Sequence, residues 1–236
     1  MSTTAAGNEG LRGAEQAGIT NAIDRLLQNG RIEEVSKLLD AHDVEHATTR
    51  RTVGTSSDEV STQDEWGKSE SEFVRNTWVE DSWTDRYASY FWWELKGGGC
   101  ACDGAGPNDG VGLTLNPDNW NIDTGNRFSD EHSSLEDRDA EGRLWEYNDP
   151  SSDSWSRRED SSGHCKMSAY RTEFDAPSTI YGTYIHTWNP FGIPGGASFS
   201  LAIGPIGVST DINTHSWTMR VDHVVNLDGT IEEHRY

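Results

Sequence analysis

The fold is decided by the stretch RYASYFWWELK (Arg86–Lys96), which is dense in aromatic residues. Successive side chains of a β-strand point to opposite faces of its sheet, and aromatic residues favour strands. Here the aromatic residues occupy both sets of alternating positions, so the stretch predicts a strand with large side chains on each face. A strand of this kind lies in the middle of a sheet that is covered on both sides.

Further along the chain, shorter segments alternate between apolar and polar residues and are separated by turn signals. Gly204-Pro205 and Leu227–Thr230 supply the turn chemistry of hairpins. The pattern predicts a mainly β fold, an antiparallel β-sandwich or barrel of about eight to ten short strands. Beyond the opening stretch, the clearest strand segments are TIYGTYIHTW (Thr179–Trp188), SFSLAIG (Ser198–Gly204), HSWTMRVDHVV (His215–Val225) and a last strand at Ile231.

The N-terminal part of the chain has the period of helices instead. One apolar stripe at helical spacing runs through Ile19–Leu27, Asn29-Gly30 then stops the first helix, and a second stripe follows in Ile32–Leu39. Residues 1–46 are therefore predicted to form an α-helical hairpin. A single hairpin cannot bury its stripes alone, so it packs either on the rest of the chain or on a partner.

The remaining chain divides in two by composition. Residues 47–71 are polar and rich in Ser and Thr, which predicts a linker. Residues 72–236 are predicted to form a Trp-rich antiparallel β domain. Within it, residues 116–163 are dense in Asp, Ser, Asn and Glu and are interpreted as long acidic loops around one or two strands.

The net charge of the chain indicates the salt conditions to which the protein is adapted and excludes some classes of function. The formal net charge is −21, and only four of the nineteen basic residues are lysine. At molar salt the Debye length is about 3 Å, so repulsion among surface carboxylates is screened while the charge keeps the protein soluble. We therefore predict a folded, salt-adapted protein. A nucleic-acid partner is excluded for lack of a basic stripe, and no apolar run reaches the roughly 18 residues of a membrane span.

The order of segments resembles that of uncharacterised exported proteins of haloarchaea. The resemblance is carried by RIEEVSKLLDAHDVEH (Arg31–His46), the polar VSTQDEWGKSES, and the Trp-rich region with TYIHTW, GPIGVS and HSW. It covers most of the chain and implies an extracellular or cell-surface location. The sequence begins with MSTTAAGNEG and shows no apolar leader, so the remaining alternative is a cytoplasmic protein or a chain written without its leader.

Three cysteines form the first candidate site. Cys100 and Cys102 lie in the glycine-rich GGGCACDGAG, and Cys165 follows His164. These four side chains are of types that bind structural zinc, although the one-residue spacing is shorter than usual. A disulfide from Cys165 to Cys100 or Cys102 would instead close a loop of more than sixty residues, worth about 4 kcal/mol in the chain-entropy model. Reduced thiols without a partner are the third interpretation.

Two further motifs match metal sites more loosely. HDVEH (His42, Glu45, His46) fits the inverted zinc-protease pattern, but it lies at the end of a short helix that runs into polar sequence. Asp137, Asp139 and Glu141 fit the first positions of a calcium loop, although Asn148 stands where the bidentate glutamate belongs. Apart from a structural zinc or calcium ion at these places, the sequence predicts no cofactor.

Tryptophan is the remaining functional signal. Trp120, Trp145 and Trp155 fall in polar surroundings, where they either anchor the loops or are exposed to stack on a sugar or a protein partner. The sequence thus favours a non-enzymatic binding or interaction module, with a protein or a carbohydrate as partner. The alternative is a zinc-dependent hydrolase or protease that uses HDVEH or the cysteine cluster.

Overall fold

The computed structural model describes residues 11–52, 71–95, 108–148, 161–188, 196–201, 204, 206–210 and 214–235. Within them, two helices precede fourteen strands. The helices are α1 (Thr20–Gln28) and α2 (Ile32–Ala41). The strands are β1 (His46–Thr52), β2 (Glu72–Asp81), β3 (Arg86–Leu95), β4 (Asp109–Leu115), β5 (Trp120–Ser129), β6 (Ser133–Asp139), β7 (Gly142–Tyr147), β8 (Ser161–Arg171), β9 (Ser178–Trp188), β10 (Ala197–Ser200), β11 (Gly207–Thr210), β12 (His215–Arg220), β13 (His223–Val225) and β14 (Ile231–Glu233).

The strands form two sheets that face each other across an apolar core. The first sheet has the order β1-β2-β3-β8-β5, and the second has the order β14-β13-β9-β4-β7-β6, with β12 also paired to β9. β10 and β11 form a separate hairpin. All paired strands are antiparallel. The predicted class, mainly antiparallel β with helices at the N-terminus, is therefore confirmed in its sandwich form.

β3 lies in the middle of the first sheet, as the aromatic stretch predicted. Phe91 and Trp93 point into the core between the sheets, where the Trp93 ring packs edge to face on Tyr147 with 5.1 Å between centroids. On the opposite face Tyr90 lies under the helices, and its hydroxyl donates a hydrogen bond to the Leu27 carbonyl at 3.1 Å. One strand therefore joins two separate apolar clusters.

The helical hairpin packs on the outer face of the first sheet. Of the two predicted alternatives, the rest of the chain or a partner, the structure shows the first. Ile23 and Leu27 of α1 and Val35 and Leu39 of α2 are fully buried against that face. The stripes predicted from the sequence thus cover the protein's own sheet. They are not available to a partner.

An ion-pair cluster also anchors α1 to the first sheet. Lys166 of β8 is fully buried, and its ammonium nitrogen lies 3.1 Å from a carboxylate oxygen of Glu80 and 2.9 Å from one of Asp24 on α1. The second Glu80 oxygen lies 3.1 Å from Nε of Arg86, and the Lys166 ammonium also sits over the Trp78 ring. Each buried charge in this cluster has an opposite charge beside it.

The β10–β11 hairpin covers the outer face of the second sheet. β4 carries glycine at two positions on that face, and this allows close approach. A Cβ on Gly110 would lie 2.4 Å from the Phe199 ring, and one on Gly112 would lie 2.1 Å from Ile206 Cγ2. The sequence predicted this hairpin from its Gly204-Pro205 turn, and the pairing of β10 with β11 confirms it.

Two parts of the predicted organisation need correction. Residues 47–52, taken as the start of a linker, belong to β1 and pair with β2, while residues 53–70 lie outside the described part. The acidic stretch 116–163 contains β5, β6, β7 and the start of β8, where loops around one or two strands were expected. These strands lie at or near sheet edges, so their outward positions carry Asp, Ser and Asn and hide the alternation.

Candidate binding groove

Of the four cysteine-site candidates, the structure describes His164 and Cys165. The Cys165 thiol is fully buried in the core between the sheets, and desolvation raises its pKa well above the usual value. Its two candidate partners are not described, so the disulfide, zinc and reduced-thiol interpretations all stay predictions. His164 points to the other face of β8 and stacks on Tyr90. Cys100 and Cys102 lie outside the described residues.

HDVEH does not have the geometry of a zinc protease motif. That motif needs both histidines one turn apart on a helix, but α2 ends at Ala41 and Asp43 takes a left-handed backbone conformation, with φ of 55°. His46 then begins β1, and a carboxylate oxygen of Glu45 accepts a hydrogen bond from the Ile231 amide. Within the described ranges, no group of three His, Cys, Asp or Glu side chains is arranged to hold a metal ion.

The tryptophans named as surface candidates are buried where they are described. Trp120 is 1% exposed and Trp145 is 2% exposed, and both belong to the core between the sheets. They are therefore anchors of the edge strands, and the exposed-surface interpretation was wrong for both. Trp155 lies outside the described residues.

A different tryptophan, missed by the sequence reasoning, is exposed. Trp83 is 84% exposed at the tip of the β2–β3 turn. The turn is held from both sides: Asp81 accepts hydrogen bonds from the Trp83 amide at 2.9 Å and from the Thr84 hydroxyl at 2.6 Å, and Gln16 donates to Asp81 at 2.6 Å. The signal that could have identified it is the polar run Asp81–Asp85 between two strongly apolar strands.

The calcium-loop candidates lie on a β-hairpin. Asp137 and Asp139 are at the end of β6, and Ala140-Glu141 form the two-residue turn into β7. The Asp139 carboxylate accepts a hydrogen bond from the Glu141 amide at 2.7 Å, which closes the turn. The hydrogen bond explains this carboxylate without a bound ion. The same hairpin forms one wall of an open groove.

The groove lies at the edge of the sandwich, between the last strand of each sheet. It has a volume of about 520 Å³, within the range of small-molecule sites. Residues 117–124 form one wall, and the β6–β7 hairpin forms the other. The lining residues are Pro117, Trp120, Asn121, Ile122, Thr124, Arg138, Asp139, Ala140 and Arg143.

Two arginines dominate the hairpin wall. Arg138 and Arg143 are directly opposite each other in the β6–β7 register, so their side chains share one face of the sheet. Arg138 is exposed, whereas Arg143 is 2% exposed and donates to the backbone carbonyls of Gly142 and Asp139. The pKa of Arg143 is lowered by desolvation and further by the positive charges of Arg127 and Arg138, and the negative charge of Asp139 offsets part of this shift.

Sequence reasoning did not identify this arginine pair. A two-residue turn at Ala140-Glu141 places Arg138 opposite Arg143, and the sequence Asp139–Gly142 contains the residues of such a turn. The region was interpreted as loop, so its register was not considered. A hairpin prediction for residues 133–147 would have brought the two guanidinium groups together.

A second buried polar cluster lies elsewhere, at the start of β4. Asp109 accepts hydrogen bonds from the Tyr184 hydroxyl, from His186 Nδ1 at 3.0 Å and from the Thr187 amide at 2.8 Å. All four residues are at most 3% exposed. The arrangement joins β4 to β9 and satisfies a buried carboxylate, which is a structural role.

Comparisons with known proteins give no functional lead. No protein-family model matches the chain, and no curated protein matches it significantly. Among solved structures, Clostridium perfringens delta-toxin shares 9% identity over 81% of this chain and 93% of its own, with a TM-score of 0.42. A pore-forming protein shares 9% identity over 81% and 96%, with a TM-score of 0.37.

The Streptococcus pneumoniae pilus backbone RrgB shares 12% identity over 65% of this chain, with a TM-score of 0.32. This chain spans only 44% of that pilus protein. At such low TM-scores these similarities carry no argument about what the protein binds or does. In the described part of the chain, neither helix has the length and apolar character needed to span a bilayer.

Proposed function

We propose that this protein is a non-enzymatic binding module of a salt-adapted cell, that it works outside the cell or at its surface, and that its ligand occupies the groove between β5 and the β6–β7 hairpin. The observation that carries the proposal is the groove itself. It is open, large enough for a ring-sized molecule, and built on paired strands whose core anchors Trp120 and Trp145 are buried. A site on paired strands is preformed, so little ordering opposes binding.

The chemistry of the lining supports binding over catalysis. Its charged side chains are the guanidinium groups of Arg138 and Arg143 and the carboxylate of Asp139. A guanidinium group keeps its proton at physiological pH and is a poor general acid or base. Asp139 is engaged by the turn amide of Glu141. The groove therefore offers hydrogen-bond donors and apolar surface, which hold a ligand without reacting with it.

The test is a fragment screen by ligand-observed NMR with organic acids, amines, alcohols and sugars. Ala140→Trp places an indole at an exposed turn position, so it fills the groove while leaving both sheets intact. We expect bound fragments to be displaced in Ala140→Trp and retained in Trp83→Ala, the matched control for binding at the β2–β3 turn.

Binding that survives Ala140→Trp and disappears in Trp83→Ala would move the site to the turn and refute the groove. The same spectra report chemical change in the fragments. Turnover of a bound compound would refute the non-enzymatic part of the proposal, and turnover that depends on added zinc would favour the hydrolase alternative.

A further inference from the structure

The cations of the groove lack the partners that this sequence supplies elsewhere. The chain has forty carboxylates and nineteen basic residues, so an arginine without a carboxylate partner is unexpected on composition alone. No ion pair is described for Arg127, Arg138 or Arg143 within the described residues, whereas Arg86 alone pairs with three carboxylates. The one carboxylate described in the lining, Asp139, raises the pKa of Arg143 by its charge, but it is bonded to the turn amide and no ion pair with Arg143 is described.

Buried donors around the groove also lack acceptors. Nε of Arg143, Nε1 of Trp120 and Nη1 of Arg127 are buried, and none has a hydrogen-bond partner among the described residues. Arg143 and Trp120 line the groove, and Arg127 is near enough to Arg143 to lower its pKa. Three other indole N–H groups are also unpaired among the described residues, those of Trp78, Trp93 and Trp217. The weight therefore rests on the two guanidinium donors, of Arg143 and the nearby Arg127. Buried polar groups are usually paired in native proteins, and these donors call for an acceptor.

The placement of the two lining arginines is itself unfavourable without a ligand. Like charges directly opposite each other on neighbouring strands destabilise a hairpin, and Arg138 and Arg143 occupy such positions. Locally unfavourable arrangements of this kind cluster at functional sites, where a ligand relieves them. An oxyanion between the two guanidinium groups would supply both the missing charge and the missing acceptors.

The walls of the groove indicate what carries that oxyanion. Pro117, Ile122 and Ala140 contribute apolar surface, and the volume of about 520 Å³ exceeds what an inorganic ion needs. In the salt-rich environment that the composition predicts, the field of the net charge is screened beyond about 3 Å. Local donors then decide binding, and the overall acidity of the protein does not exclude an anionic ligand.

We infer that the groove binds an organic oxyanion, in which a carboxylate, sulfate or phosphate group lies against Arg138 and Arg143 and a ring-sized body lies against Pro117 and Ile122. The inference rests on the proposed function, because it names the ligand class of the same site. It adds that a negative charge on the ligand increases its affinity for the groove.

The test compares anionic probes with neutral probes of similar shape by calorimetric titration. All titrations are made in 1 M KCl, so chloride competes at the same concentration in each. The probe pairs are glucuronate with glucose and benzoate with benzyl alcohol. We expect at least one anion to bind about tenfold or more tightly than its neutral partner. Arg138→Gln and Arg143→Gln should remove that advantage, and Arg25→Gln, an exposed arginine on α1, should leave it unchanged.

The outcomes separate the inference from the proposed function. If the neutral probes bind as tightly as the anions and Ala140→Trp abolishes both, the groove is a binding site but the oxyanion inference is overturned. If none of the four probes binds, the oxyanion inference is overturned, and the fragment screen with Ala140→Trp decides the proposed function separately. Arg138 is exposed, so Arg138→Gln keeps the test valid even if Arg143→Gln does not fold.

Discussion

Lys166 and Arg143 are both buried cations, but they differ in whether carboxylates pair with them. Lys166 is fully buried with Glu80 and Asp24 within 3.1 Å. Arg143 is almost as buried, and its described hydrogen bonds go to backbone carbonyls. The charges of two other arginines lower its pKa, and only part of this is offset by Asp139. The chain has forty carboxylates, so the second arrangement is not explained by a shortage of partners.

The difference separates a cation that stabilises the fold from one that is available to a ligand. A buried charge with matched partners becomes costly only when a partner is removed. A buried charge without partners carries its desolvation cost in the free protein and recovers it when an anion binds. Of the three predictions below, the first and the last test whether the two clusters differ in this way.

The largest effect is expected for Lys166→Met, which leaves Asp24 without its cation and Glu80 with Arg86 alone. We expect the free energy of unfolding to fall by about 3 kcal/mol, since breaking one partner out of a buried ion pair is strongly destabilising. Urea unfolding at constant high salt measures it. The double variant Lys166→Met/Glu80→Gln should lose less free energy of unfolding than the two single variants lose together, because the residues are coupled. Additive losses would show that the pair does not act as a unit.

Most of the fold could be predicted from the sequence, because its core strands and helices obey simple periods. Arg86–Leu95 and Ser178–Trp188 carry large apolar side chains at alternating positions, and burial of these side chains then fixes the sheet. The edge strands β5 and β6, and β7 beside β6, could not be predicted as easily. Their outward positions carry acid, and acid-rich sequence is also typical of loops.

The groove could not be predicted for the same reason. Trp120 and Trp145 have polar neighbours in sequence but apolar neighbours across the sheets, since Trp145 pairs with Val111 and Leu135. Exposure follows from these cross-strand partners, which only the register defines. Trp83 illustrates the converse, because it follows an apolar strand in sequence and projects from the turn at its end.

A fall in pH is expected to have an intermediate effect on the free energy of unfolding, because two histidines are desolvated in the folded protein. His223 is hydrogen-bonded to the hydroxyls of Thr77 and Thr49, and desolvation, with the nearby Arg75 charge, lowers its pKa well below 6.5. Desolvation also lowers the pKa of His164. The unfolded chain therefore binds protons first as the pH falls. Stability is fully present above pH 6.5 and decreases below it, by up to about 1.4 kcal/mol per pH unit for each histidine.

Urea unfolding at a series of pH values between 7.5 and 5.5 checks this slope. His223→Gln keeps a side chain that can bond both hydroxyls and removes the titration, so its stability should vary less with pH than that of the wild type. An unchanged slope in the variant would show that His223 is not held neutral by its surroundings.

The smallest effect on stability, and the sharpest test of the comparison, is expected for Arg143→Met. It matches Lys166→Met in kind, since each replaces a buried cation by an apolar side chain of similar length. Two hydrogen bonds to turn carbonyls are lost, but the desolvation of the guanidinium and its repulsion by Arg127 and Arg138 are relieved. We expect the free energy of unfolding to stay within about 1 kcal/mol of the wild type. A loss near 3 kcal/mol would mean that Arg143 is as structural as Lys166, and that its missing partners do not mark a site for an anion.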